Sequence, residues 1–446
     1  MNNDKSIFMQ KKILILSSFS PYHSCNLVKD LVDGLKMVDC EVDFVGVDNY
    51  AIPEAGYYTI GKCDSSRNKS FYLRLKQKIT AVKFVRKCID YLRYRIIIKK
   101  IGGQPAFLHS DDSKPEIRID EWESILPYKK YDLIITTFMR GDITSVTLKY
   151  LCEKYNAPLF VSAVDMQPMT GGCYYFHDCN GYKEQCRCCP VMKESEIPYK
   201  NFKLKKEVYA KYPIFACGNT YMKNFFIQSS LWNDDSYLNL PCIINEDTFR
   251  IKERYSAREY FGLSNDAFVI FSGARNLFEE RKGMKFLFSA IDKFKRSNKD
   301  VKVELVLAGN SYGNVVSIQD VRVVMIGYLT TDELVSMYSA ADVFACTSWN
   351  DAGPSMVNQS IMCGTPVLAF DTGVAMDIVI KGITGYKAKL RDTDDLAIGL
   401  ERLYSDISND PDMFTDRCRT YGLRHFSRIE VAKQILQNFN NISIHS

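Results

Sequence analysis

No apolar run in this chain approaches the roughly 18–20 residues that a membrane-spanning helix needs. The run Lys11–Leu16 imitates the start of a signal peptide, but its apolar core is short and Ser17-Ser18 ends it as a strand would end. The expectation is a cytoplasmic protein. Glycine is missing altogether from Ser17 to Cys25, directly after this first strand. That removes the Gly-rich G-x-G-x-x-G turn of nicotinamide-binding domains and argues against a dehydrogenase. Charge of one sign is also scarce, with a net charge of +5 over 446 residues. Such a balance does not by itself imply a nucleic-acid partner. Internal repeats and low-complexity segments are lacking as well.

What is present is ordinary globular material, 46% apolar and 25% charged, in a chain too long for one hydrophobic core. Two domains are expected. Ile13–Leu16, the helix Asn26–Met37 with Leu27, Leu31 and Leu35 on one face, and Glu41–Val47 form a βαβ opening. Tyr131–Thr137 and Pro158–Ala163 read as further strands, joined by a helix over Ile143–Tyr155. Later come strands at Val269–Phe271, Glu304–Ala308, Val321–Ile326, Ala341–Cys346 and Val367–Phe370. Helices are expected at Met284–Phe294, Glu333–Ser339, Asp395–Leu403 and Ile429–Phe439. Alternating short apolar strands with helical patterns predicts α/β domains with doubly wound parallel sheets.

Three features stand out in the first half. Ser70–Lys100 interleaves Arg and Lys with Phe, Tyr, Leu and Ile. It reads either as a surface helix packing its apolar stripe on its own domain or as a helix lying on an anionic membrane. Asp165 stands at a strand's carboxyl end, where it can cap the following turn or orient an acceptor hydroxyl. Cys173, Cys179, Cys186 and Cys189 then give C-x5-C-x6-C-x2-C, and five of the fifteen cysteines fall between Cys173 and Cys189. In a reducing compartment that spacing suits a structural tetrahedral Zn, with Cys188 or His177 able to replace one ligand. Free thiols and a labile disulfide are the alternatives.

In the second half the organising stretch is Asp351–Pro366, D-A-G-P-S-M-V-N-Q-S-I-M-C-G-T-P, between two buried-strand patterns. It must be a loop followed by a short helix. An acid sits at the strand exit, Gly353 and Pro354 lead into the helix, and Gln359 lies one turn past Ser355 on the same face. The helix start attracts anions through free N–H groups and the dipole. An ordinary strand-loop-helix connection would look the same.

Cys363-Gly364-Thr365-Pro366-Val367 resembles the signature block of retaining glycosyltransferases of family 4, where two glutamates separated by seven residues precede it. The acidic positions fall on Asp351 and Gln359, so one carboxylate is shortened and the other is an amide. The entry Met-x-Pro-x-Thr-Gly-Gly-Cys with its spaced cysteines and Cys-Pro is similar to a subgroup of bacterial polysaccharide-assembly transferases with a Cys-rich insertion. Leu240–Asn245 followed by Phe249 resembles the family's crossing between domains.

The resemblance implies a GT-B fold, two doubly wound Rossmann-like domains facing across a cleft. It implies residues 1–244 as an acceptor-side domain carrying the Cys-rich segment 173–189, and residues 245–427 as a nucleotide-sugar domain. Residues 428–446 would form a helix returning to the first domain. The donor site would use Gly273, Arg275, Arg281, Lys282, Gly327, Tyr328, Gly353, Ser355, Met356 and Gln359, with Asp351 and Asp165 at the reacting sugar. Lys282 takes the family's diphosphate-binding lysine position, while Ala274 stands where the arginine is usual, so Arg275 or Arg281 must substitute.

The implied activity is transfer, with retention, of a sugar from a nucleoside-diphosphate sugar to a saccharide or polyprenyl-diphosphate-linked acceptor. Cell-wall, capsule or O-antigen assembly at the inner face of the cytoplasmic membrane is the setting. A catalytic metal is not expected, because cations and a helix start can supply the field at the diphosphate. Two other classes stay open: a catalytically silent nucleotide-sugar-binding relative acting in a complex, and a zinc-containing nucleic-acid-binding protein. No stacking or groove-reading motif supports the last, so nucleic acid is not an expected partner.

Overall fold

The structure is a computed structural model that describes residues 10–18, 26–47, 56–60, 111–126, 129–139, 141–176, 179–190, 192, 195–232 and 234–445. The basic stretch Ser70–Lys100, His177 and the glycine-free turn beyond Ser18 lie outside the described residues.

Two compact units divide the chain. The first comprises residues 1–28, 39–217 and 225–238, and the second residues 29–38, 218–224 and 239–446. Seven strands make the first sheet: β1 (Lys12–Ser17), β2 (Glu41–Val47), β3 (Tyr57–Ile60), β4 (Leu133–Thr137), β5 (Leu159–Ser162), β6 (Ile214–Gly218) and β7 (Tyr237–Asn239). Their order is β3-β2-β1-β4-β5-β6-β7. β1 pairs in parallel with β2 and β4, Ile13 facing Val42 on one side and Leu133 on the other. Both faces of such strands are covered, which explains why Ile13–Leu16 is uniformly apolar rather than alternating.

The second sheet follows the same logic. It holds β8 (Phe268–Asn276), β9 (Val303–Asn310), β10 (Val321–Met325), β11 (Val343–Cys346), β12 (Val367–Phe370) and β13 (Gly385–Ala388), in the order β10-β9-β8-β11-β12-β13. Chain order reverses at β8, which pairs with β9 on one side and β11 on the other. Ligands of open parallel sheets bind outside the strand carboxyl ends at such a switch point. The segments that leave β8 and β11 therefore define where a site belongs in this unit.

β8 is longer than the apolar run Val269–Phe271 suggests. It continues through Gly273 and Arg275 to Asn276, with an irregularity between Gly273 and Asn276. Buried Phe271, Tyr338 and Phe344 interlock beneath it with ring centroids 5.4–5.5 Å apart. On the other side the helix Met284–Ser297 buries Leu287, Ala290, Ile291 and Phe294.

One buried acid gives a pH prediction. Asp30 lies only 6% exposed on the helix Asn26–Met37. Burial pushes its carboxyl up to about 6, against lowering by the Asn245 hydrogen bond and the Arg428 charge. Because the folded value lies above the unfolded one, the favourable contribution is full below about pH 4 and is lost as pH rises through about 6. Asp30→Asn is expected to be more stable than the parent at pH 7.5, by at most about 3 kcal/mol, with the gap closing below pH 4. Urea melts of both proteins at the two pH values check this.

Candidate active site

The site builds on the loop between β11 and the helix Ser355–Met362. β11 delivers Thr347 to Asp351 at its carboxyl end, and Ser348, Asn350 and Asp351 are all buried there. Burying an acid in this position costs free energy unless cations accompany it. The 3-10 turn Glu280–Lys282, entered from β8, supplies them. Arg281 Nη1 donates to Asp351 Oδ2 at 2.7 Å and Lys282 Nζ donates to the same oxygen at 2.6 Å. The remaining oxygen, Oδ1, accepts the Gly353 N–H at 3.4 Å. Burial alone would raise the Asp351 carboxyl; Lys282 and then Arg281 hold it below the usual carboxylate range. Arg281 also binds Glu279, Nε to Oε1, at 2.5 Å.

Backbone contacts weld this turn to the strand exit. Trp349 N–H donates to the Arg281 carbonyl and its indole Nε1 to the Glu280 carbonyl, each at 2.9 Å. Thr347 Oγ1 donates to the Lys282 carbonyl at 3.1 Å. Gly283 follows in the left-handed region at φ +67°, and a Cβ there would stand 2.1 Å from the Thr347 carbonyl oxygen. Only glycine fits at such a close approach, which explains the Lys-Gly step.

Pro354 precedes the helix Ser355–Met362, whose start carries no side-chain cap. Its first N–H groups have no intrahelical acceptor, and the dipole's positive end points out of the helix. Met356 reaches back to β8: a Cβ on Gly273 would meet its Cε at 2.7 Å. A small recess borders this loop, lined among others by Cys346, Ser348, Asp351, Pro354 and Thr372. The Asn350 Oδ1 atom is buried without a partner among the described residues.

Arg281, Lys282, Asp351, Gly353, Ser355, Met356 and Gly273 are thus assembled in one place. Gln359 is turned elsewhere, its Oε1 accepting the hydroxyl of buried Tyr338 at 3.2 Å. Gly327 and Tyr328 lie beyond β10, where Gly327 takes φ +34° and its carbonyl accepts the Gly309 N–H at 2.6 Å. The Tyr328 hydroxyl donates to the Arg275 carbonyl at 2.8 Å, leaving the ring 66% exposed. Between Arg275 and Arg281 as substitutes for the missing arginine, only Arg281 reaches the acid; Arg275 is exposed.

Asp165 belongs to the first unit. Its Oδ1 accepts the Gln167 N–H at 2.9 Å, the turn-capping arrangement. Cys173, Cys179, Cys186, Cys188 and Cys189 of the same unit are free thiols. Cys186 Sγ accepts the Gly171 N–H and Cys179 Sγ the Gly181 N–H, each at 3.3 Å. Among the described residues no group of three or more His, Cys, Asp or Glu side chains meets the arrangement of a metal site, although burial first and then the nearby thiols of Cys189, Cys186 and Cys179 push the Cys173 thiol up.

Sequence reasoning missed Trp349, Arg391 and Asn219. Arg391 stacks on the Trp349 ring at 3.8 Å, and Asn219 Nδ2 donates to the Ala352 carbonyl at 2.5 Å. The aromatic beside the acid was visible as Trp349-Asn350-Asp351, but its partners stand far off in sequence.

Residues 267–406 match the family model Glycosyl transferases group 1. An uncharacterized glycosyltransferase of Methanocaldococcus jannaschii is 24% identical over 297 residues, which span 63% of this chain and 68% of the relative. Sucrose-phosphate synthase from Thermosynechococcus elongatus superposes with a TM-score of 0.61 at 17% identity, covering 98% of this chain and 100% of that one. Anabaena HepE in complex with UDP gives 0.58 at 14% identity, covering 97% and 100%. With its two parallel-sheet α/β units, the chain has the GT-B fold. Among the described residues no helix is long and apolar enough to cross a membrane.

Proposed function

We propose that this GT-B chain, with its group 1 glycosyl transferase segment, is a retaining glycosyltransferase that takes its sugar from a nucleoside-diphosphate donor. The observation that carries this reading is the Asp351–Arg281–Lys282 cluster beside an uncapped helix start, at the switch point of the second sheet. The leaving diphosphate gains charge as the glycosidic bond breaks, and pre-positioned cations and N–H dipoles stabilise that charge without reorganising. Arg281, Lys282 and the N–H groups of Ser355 and Met356 take this role. Asp351 accepts hydroxyls of the donor sugar and orients its ring. Gly273 lets the donor approach β8, Gly353 keeps the Asp351 loop close to the helix start, and the exposed Tyr328 ring next to Gly327 offers a face to the nucleobase. Asp165 serves the acceptor, a saccharide or a polyprenyl-diphosphate-linked saccharide of cell-surface polysaccharide assembly.

The test is sugar transfer or release from a panel of uridine and guanosine diphosphate sugars, with the anomer of the product read by NMR. Retained configuration, lost in Asp351→Asn, is expected. Equal turnover by the parent and Asp351→Asn sinks the assignment, and binding without turnover would make the chain a nucleotide-sugar-binding protein instead.

Gln359 supplies a milder prediction. Its amide already accepts from Tyr338, and a carboxylate would accept there too. Charged hydrogen bonds contribute roughly 1.5–3 kcal/mol and neutral ones 0.5–1.5, so the exchange is worth about 1 kcal/mol. Gln359→Glu is expected to retain activity within a few-fold, with any change confined to KM for the donor.

A further inference from the structure

Arg281 and Lys282 are not waiting for a ligand. Both already bind one oxygen of buried Asp351, and Arg281 also binds Glu279. Two cations face two carboxylates, so the local charge balances before any donor arrives. Resting on the reading above, this has a consequence for what the site can hold. A diphosphate that takes the two cations strips Asp351 Oδ2 of its ion pairs and leaves only the long Gly353 N–H contact on Oδ1, and a buried carboxylate without a counter-charge is strongly unfavourable. The complete donor avoids that penalty because its sugar hydroxyls donate to Asp351 as its phosphates accept from Arg281 and Lys282. The spent nucleoside diphosphate ends at its phosphates, with no donor-sugar hydroxyl to give Asp351, and would leave that carboxylate without a counter-charge beside them.

We propose that Asp351 is a specificity-determining counter-ion that competes with the diphosphate for Arg281 and Lys282, so that the site holds the intact donor and rejects the nucleoside diphosphate left after transfer. The donor exchanges one set of ion pairs for two sets of contacts. The product cannot, and the Asp351 carboxylate reclaims the cations as the product departs. Glu279, 39% exposed at its side chain, keeps Arg281 oriented through the exchange.

The experiment is titration calorimetry of the full chain with UDP, GDP and ADP, comparing the parent with Asp351→Asn, Asp351→Ser, Asp351→Glu and Lys282→Gln. Removing the competing charge is expected to tighten whichever nucleoside diphosphate binds by about tenfold in both Asp351→Asn and Asp351→Ser. Asp351→Glu, which keeps the charge, is expected to bind like the parent, and Lys282→Gln more weakly. Asp351→Ser serves the same purpose should Asp351→Asn not fold. Unchanged or weaker binding in the neutral variants, with Lys282→Gln still weakened, overturns the competition while leaving the donor site in place. A chain in which none of the three nucleotides binds, in the parent or the variants, and Lys282→Gln changes nothing overturns the donor-site reading itself.

Discussion

Lys282→Ala is expected to lower kcat for sugar transfer by about 10²–10³-fold, the usual consequence of removing one preorganised group from a developing charge. The side chain is 14% exposed and its ammonium stands 2.6 Å from Asp351 Oδ2. It is held there by geometry rather than chance: Thr347 Oγ1 binds its carbonyl, and the next residue is the glycine pressed against the Thr347 backbone. The alanine variant leaves Arg281 as the cationic partner of Asp351, so some positive field survives and activity does not vanish. Lys282→Arg is expected to recover only part of the loss, because the guanidinium is planar and longer than the ammonium it replaces. Steady-state kinetics with the best donor from the panel decides the matter. A kcat within threefold of the parent for Lys282→Ala would remove this residue from the reacting centre.

Much of this site could be read from the sequence because it is local. Asp351, Gly353, Pro354 and Ser355 lie in one strand-loop-helix connection, and an apolar run on each side fixes where the loop begins and ends. The pairing of Asp351 with Arg281 and Lys282 spans 70 and 69 positions, and no periodicity links two loops that far apart. The parallel sheet brings them together by setting β8 beside β11. Choosing Arg281 over Arg275 likewise needed the course of β8, whose extension to Asn276 carries Arg275 out into solvent.

The fold shows the same division. Buried strands such as β1, β11 and β12 are nearly pure apolar runs and announce themselves. β3, β6 and β7 were not expected: each is only three to five residues long, and Tyr57–Ile60 and Tyr237–Asn239 mix tyrosine with polar residues. The helix Ile197–Lys211 also escaped notice. Its buried positions are Pro198, Asn201, Phe202, Lys205, Val208 and Tyr209, so a helical stripe is present but an asparagine and a lysine interrupt its apolar character.

That lysine carries the largest stability effect we expect. Lys205 is fully buried, donating to the carbonyls of Gln167 at 2.7 Å and Thr170 at 2.8 Å, with Asp112 Oδ2 3.9 Å away. Burial lowers its ammonium and raises the Asp112 carboxyl, and each charge offsets part of the other's shift. Ser145 Oγ donates to Asp112 Oδ2 at 3.0 Å and the Asp112 N–H donates to Asn201 Oδ1 at 2.9 Å, so the pair is tied into three elements. Lys205→Met keeps the stem's volume but leaves a buried acid and two carbonyls without their donor. Losing one member of a buried pair costs about 3–5 kcal/mol, and urea unfolding should show a loss of that size. Adding Asp112→Asn to Lys205→Met removes the stranded charge and is expected to restore part of the stability. The two carbonyls still lack a donor, so recovery stops short of the parent. A single variant as stable as the parent would mean that the Gln167–Thr170 turn, and with it the placement of Asp165, does not depend on the buried ammonium.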